Sequence, residues 1–194
     1  MEAEEGRAER KKREVRERIV DAAASLIIDK GARTVSMDEV AEKADVARRT
    51  LFNYFESKDE LLYAAAGPVL LEAIALAEAA LARPSPGVDD IVELCLALWR
   101  SCGRRLGLVY AVELDESPRF AELHGRYLGL LHALIGKVAS GDPALADSAR
   151  LVGKIVYRSF VPLLLALEGE ESEEARFAAG LKGLIEGACS RPGR

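Results

Sequence analysis

Only three cysteines, Cys95, Cys102 and Cys189, occur in the 194 residues, and no two form a CxxC pair. An odd, scattered set of thiols excludes a disulfide framework and suits a reducing compartment, so a cytoplasmic protein is expected. Aromatic residues are scarce, at 6%. The apolar residues are mostly Ala, Leu and Val, a balance that favours helix. No window shows sustained period-2 alternation with β-branched residues, so no sheet is expected. No run of about 18 apolar residues is found. The longest candidate, 160–167, is too short to span a bilayer, and no membrane partner is expected. The first residues, MEAEEGRAERKKR, are charged, so no signal peptide is expected. A Gly-rich phosphate loop, a GxSxG elbow and a His pair with a carboxylate at ligand spacing are all missing. The sequence therefore offers no catalytic residue and no cofactor site, and an enzyme is not expected. Gln is absent and Asn53 is the single Asn.

What is present fits a soluble globular chain, with 49% hydrophobic and 30% charged residues. The net charge of −5 argues against a protein that coats nucleic acid all over, but leaves room for a local basic patch. Residues 1–58 carry 13 basic and 13 acidic side chains, so the whole negative excess lies beyond them. Within 7–18 there are seven basic residues against three acidic ones. Residues 1–12 read as a mobile charged arm, and the charges of 7–18 as a solvated helix face or disordered arm, or as an arm touching a DNA minor groove or backbone.

From about Arg13, apolar residues recur at helical spacing (Val15, Ile19, Ala22, Ala23, Leu26, Ile27) until Gly31 stops the helix. Ser36 with Glu39 three residues on matches a capping box, opening a short helix over 37–44. Asp45-Val46 is a tight break, and a second short helix covers 48–55. Ser57 and Glu60 form a second capping box, opening a longer helix that Gly67-Pro68 should kink or interrupt. Residues 83–87, RPSPG, form a loop, and further helices are expected near 88–104, 107–115, 118–139, 143–167 and 173–189. The fold class expected is all-α.

Two short helices joined by a tight turn behind a longer one make a helix-turn-helix. Val40, Ala41, Val46, Leu51 and Phe55 should face inwards. Arg48, Arg49, Phe52 and Asn53 should then face outwards, with Thr50 and Tyr54 flanking them. The chemistry suits DNA: Arg bonds guanine and Asn bonds adenine in bidentate fashion, while hydroxyls and Lys fix register on phosphates.

The run TVSMDEVAEKADVARRTLFNYFESKDELL resembles the DNA-binding signature of TetR-like (tetracycline-repressor-type) regulators. The likeness covers about residues 13–63, and the rest agrees with that family only in length and helical character. It implies a three-helix DNA-binding domain over 13–63 after the arm, and an effector-binding and dimerisation domain over 64–194. It places Ser36 at the cap beside a phosphate, Arg48 and Arg49 on base-reading positions, and Thr50, Tyr54 and Lys58 on phosphates. Phe52 stands where the family usually has Tyr, which suggests contact with a thymine methyl. Asp45 stands where Gly is usual, and Ala47, which cannot cap, where Ser is common, at a cost of about 1 kcal/mol.

The resemblance implies a homodimer on a palindromic operator in double-stranded DNA, acting as a repressor released by a small apolar or amphipathic ligand. Pocket candidates are Cys95, Trp99, Cys102, Tyr110, Phe120, Tyr127 and Tyr157, each equally readable as core. Gly180, Gly183 and Gly187, with Leu184, form a small-residue face that would let another helix approach. With the helix near 143–167 it is expected to build a four-helix dimer interface. His124 and His132 lie eight apart, and Cys95 and Cys102 seven apart, whereas ligand pairs on one helix usually sit at i, i+4. No metal site is expected. A metal-responsive regulator, or a helical protein-interaction module without effector response, are the alternatives.

Overall fold

The structure, a computed structural model, describes residues 2–112, 117–139 and 171–189. Every regular element among them is helical: α1 (Glu2–Lys30), α2 (Met37–Lys43), α3 (Arg48–Tyr54), α4 (Lys58–Leu81), α5 (Val88–Cys102), α6 (Leu106–Val112), α7 (Pro118–Ala139) and α8 (Glu171–Cys189), with a 3₁₀ turn at Gly103–Arg105. The all-α expectation holds for these residues. The helix expected near 143–167, and Tyr157 with it, lie outside them.

Two compact units emerge. The first comprises Met1–Pro68 with Leu108–Ala121, the second Val69–Gly107 with Glu122–Arg194. In the first, Ile19, Ala23 and Ile27 of α1 are buried, as are Val40 and Ala41 of α2, Leu51 and Phe55. Leu108, Val112 and Phe120 are buried in the same unit. In the second, α8 packs on α5, burying Leu181 and Ile185 of α8 and, on α5, Ile91, Leu94 and Leu98. Exposed ion pairs run alongside, Arg100 to Glu174 at 2.8 Å and Lys182 to Asp89 at 2.7 Å. On α7, Leu131, Leu134 and Ile135 are buried.

Three expectations are corrected. Residues 2–12 are the opening turns of α1 rather than a separate arm. They are rich in Ala, Glu, Lys and Arg, all good helix formers, and Arg10–Glu14 and Arg13–Glu17 pair at i,i+4, both at 3.8 Å. Gly67-Pro68 does not interrupt α4, which runs unbroken with Pro68 inside it. Leu61, Leu62, Ala65 and Ala66 before the proline, and Val69, Leu70, Ala73, Ile74 and Ala77 after it, are all buried. That burial outweighs the single backbone hydrogen bond a proline removes. Third, the longest apolar stretch is 61–71, not 160–167. By length and composition α4 is apolar enough to cross a membrane. Half of that window is buried inside the protein, as in a core helix.

Candidate nucleic-acid interface

The helix-turn-helix is built by backbone hydrogen bonds that local residue types satisfy. Ser36 caps α2 with a reciprocal box: its Oγ accepts from the Glu39 N–H at 3.3 Å, and the Glu39 carboxylate accepts from the Ser36 N–H at 2.9 Å. The other Glu39 oxygen takes the Lys30 ammonium at 2.5 Å, tying α2 to the end of α1. Foremost through Lys30, and then the Ser36 N–H, these bonds hold the Glu39 carboxyl at about 2, well below its ordinary value.

The turn after α2 is a Schellman motif. The Asp45 N–H donates to the Glu42 carbonyl at 3.1 Å, and the Val46 N–H to that of Ala41 at 3.0 Å. Such a motif needs a left-handed residue, and Asp45 adopts it with φ 52°. Asp tolerates this better than most non-Gly residues, so the fold survives where glycine is usual. Ala47 then starts α3 in extended conformation without a side-chain cap, as its type requires.

α3 turns Leu51 wholly inwards, and Phe55 just beyond it is equally buried under the Arg16 guanidinium, 5.1 Å from its ring centroid. Val46 is only half-buried. Arg48, Arg49, Phe52 and Asn53 are exposed together on the opposite side, and Thr50 and Tyr54 flank them half-buried. Arg49 makes no ion pair among the described residues. Arg48 does: its Nη1 lies 2.9 Å from Asp38 Oδ2, with its guanidinium 5.6 Å from the centroid of the Phe52 ring. Lys58, half-buried, donates from Nζ to the Arg33 carbonyl at 3.2 Å. The second capping box is displaced by one residue: Ser57 Oγ accepts from the Glu60 N–H at 3.1 Å, but the Glu60 carboxylate takes the N–H of Glu56 at 2.8 Å.

Residues 19–65 match the model of "Bacterial regulatory proteins, tetR family". Residues 19–65 are thus similar to the N-terminal segment of tetR-family regulators. The tetR-type segment is 49% identical over 55 residues to the HTH-type transcriptional repressor KstR of Mycolicibacterium smegmatis, covering 28% of this chain and 27% of that protein. It is 42% identical over 52 residues to the HTH-type transcriptional regulator YvkB of Bacillus subtilis, covering 27% and 28%. The match thus spans about a quarter of the length of these curated relatives. Solved structures extend the likeness of fold alone. AmtR of Mycobacterium smegmatis superposes with a TM-score of 0.65 at 20% identity, over 90% of this chain and 91% of that one. NalD of Pseudomonas aeruginosa, the secondary repressor of the MexAB-OprM multidrug efflux pump, gives 0.66 at 17%, over 95% and 100%.

In the tetR-type domain the residues expected at DNA thus share one outer side of α3, with Ser36 at the start of α2 and Lys58 at the start of α4. Two participants were not foreseen, Lys30 and Asp38. Their partners Glu39 and Arg48 lie nine and ten residues on, beyond the reach of a spacing rule within one helix. The pocket candidates separate. Cys95 and Tyr127 are buried close to one another in the second unit, and burial pushes both the thiol and the phenol up. Trp99 and Cys102 are half-buried, Phe120 is buried in the first unit, and Tyr110 is exposed. Gly180, Gly183 and Leu184 of α8 are exposed, and Gly187 lies on the same helix. His124 and His132 are half-buried, and no cluster of three or more ligating side chains occurs among the described residues.

Proposed function

We propose that this chain is a DNA-binding transcriptional regulator that acts as a homodimer on a palindromic duplex. The observation that carries the reading is the division of the α3 region: Leu51 and Phe55 wholly buried, Arg49 and Asn53 exposed on the opposite side. That is the arrangement a helix needs to enter a major groove and bond base edges. Kinship of the tetR-type segment with named repressors supports repression as the sign of regulation. Arg48 and Arg49 read bases, Asn53 bonds adenine, and Ser36, Thr50, Tyr54 and Lys58 hold phosphates.

The α8 face of Gly180, Gly183 and Leu184 is the proposed dimer surface. Among the described residues, a Cβ added at either glycine would meet nothing within 4 Å, which leaves room there for a second helix. The neighbourhood of Cys95 and Tyr127 is the proposed effector region. A small apolar or amphipathic ligand that fits one spacing of the two recognition helices better than the other would shift the population away from DNA. Such a protein works in the cytoplasm, where its DNA is.

Duplex titration at several salt concentrations tests the reading. Phosphate contacts give a steep fall of affinity with salt. Arg49→Ala should cost about 1–3 kcal/mol and relax base preference, whereas Tyr54→Phe should weaken all duplexes alike. Unchanged duplex affinity in both variants would overturn the assignment.

A further inference from the structure

We infer that Asp38 is a positioning residue for base recognition: together with the Phe52 ring it holds the Arg48 guanidinium in the orientation that reads one guanine. The inference rests on the DNA-binding reading above. Asp38 belongs to α2 and Arg48 to α3, so the contact crosses the turn between the two helices. Both side chains are largely exposed, at 59% and 67%. A pair so placed adds little to stability, and the buried Val40, Ala41 and Leu51 already hold α2 and α3 together. The fold therefore does not need it.

Its geometry suits recognition. Arg has five N–H donors in one plane. Asp38 engages Nη1, which leaves the Nε–Nη2 edge for the O6 and N7 acceptors of guanine. Phe52, one helical turn along α3 and 39% exposed, covers one face of the guanidinium. A long side chain held from two sides has already lost part of the rotamer freedom that binding would otherwise remove. The carboxylate also repels phosphates, so a duplex without the matching guanine meets an uncompensated negative charge. Both effects raise discrimination rather than bare affinity. Phe52 is then a platform for Arg48 rather than a contact for a thymine methyl.

The test uses the full chain and a duplex library with a randomised core, together with a mixed-sequence duplex for non-specific binding. Wild type should enrich guanine at one symmetric pair of positions, and Arg48→Ala should lose that enrichment. Asp38→Ala should lower the preference for that guanine by about three- to ten-fold, the cost of ordering one rotamer-rich side chain, leave other positions unchanged, and bind the mixed-sequence duplex at least as tightly as wild type. Asp38→Asn should fall between. In the Arg48→Ala background, Asp38→Ala should change base preference no further. A guanine preference in Asp38→Ala within about two-fold of wild type overturns the inference, because ordering a free Arg side chain costs more than that. A loss spread evenly over all positions overturns it too. If wild type enriches no sequence, the DNA-binding reading itself fails. That result is distinct from one in which wild type and Arg48→Ala differ as expected while Asp38→Ala tracks wild type.

Discussion

The helix-turn-helix and the second unit are made of the same material, apolar-striped helices with charged outer faces, but they are held together over different distances along the chain. In the first, the bonds that shape the turn join residues three to ten apart, Ser36 with Glu39, Asp45 with Glu42 and Asp38 with Arg48, and the Lys58 bond to the Arg33 carbonyl spans 25. In the second they join residues far apart: Lys137 to the Leu81 carbonyl across 56 positions, Arg100 to Glu174 across 74, Lys182 to Asp89 across 93. Short-range bonds tie residue type to conformation directly. Long-range ones require only that charge and volume agree, so many sequences satisfy them. Sequence kinship with the named relatives covers about 55 residues, whereas likeness of fold covers about 90% of the chain.

The largest expected effect probes the second region. Gly183→Trp puts a large ring on the open face of α8, and in a two-fold interface each lesion occurs twice. Overpacking costs about 1–3 kcal/mol per site, so dimer dissociation should shift by about 2–6 kcal/mol. Sedimentation or light scattering reads the outcome, and a dimer of undiminished strength would remove α8 from the interface. Because a side chain at Gly183 meets nothing within 4 Å in the single chain, folding itself should be spared.

A smaller effect sharpens the contrast from the other side. Ala47→Ser supplies the missing cap of α3 and should stabilise the chain by about 1 kcal/mol, read as a higher urea midpoint. An unchanged midpoint would mean that local bonds do not govern this segment as claimed.

The smallest concerns pH. The folded state lowers the Glu39 carboxyl to about 2 from an ordinary 4.5, so it favours the ionised form. Its contribution to stability is complete above the ordinary value and is lost as pH falls through the folded value. Glu39→Gln should flatten the acid limb of the stability curve between those two values and leave the neutral limb's slope unaltered. Denaturation midpoints across the acid range decide it.

Legibility in the sequence follows the same contrast. Ser36, Gly31 and Ala47 each disclosed their role at a helix end, because caps depend on residue type, whereas the left-handed turn at Asp45 was implied only by the resemblance, which has Gly there. Helix α7 could be placed to the residue from Ser117-Pro118 and its apolar spacing. The uninterrupted α4 was hidden, since the penalty of Pro68 is visible in the sequence whereas the burial on both sides of it is not. The inclusion of Leu108–Ala121 in the first unit was hidden for the same reason. At the DNA face, exposure of Arg49 and Asn53 followed from helical periodicity. The Asp38 carboxylate needed the angle between two helices, which no spacing rule contains.

Ahead of half-buried Val15, the side chains of residues 6–14 of α1 are all exposed, so these nine residues form a solvent-facing helical rod about 14 Å long. The ion pairs that start on it, Arg10–Glu14 and Arg13–Glu17, run from Arg to Glu, the weaker order for a helix. Added electrolyte weakens those pairs and so shortens the ordered part of the rod. If residues 7–18, with seven basic side chains against three acidic ones, meet a duplex, the dependence of affinity on salt will combine two slopes, one from ions released by the polyanion and one from the melting of the protein's own first turns.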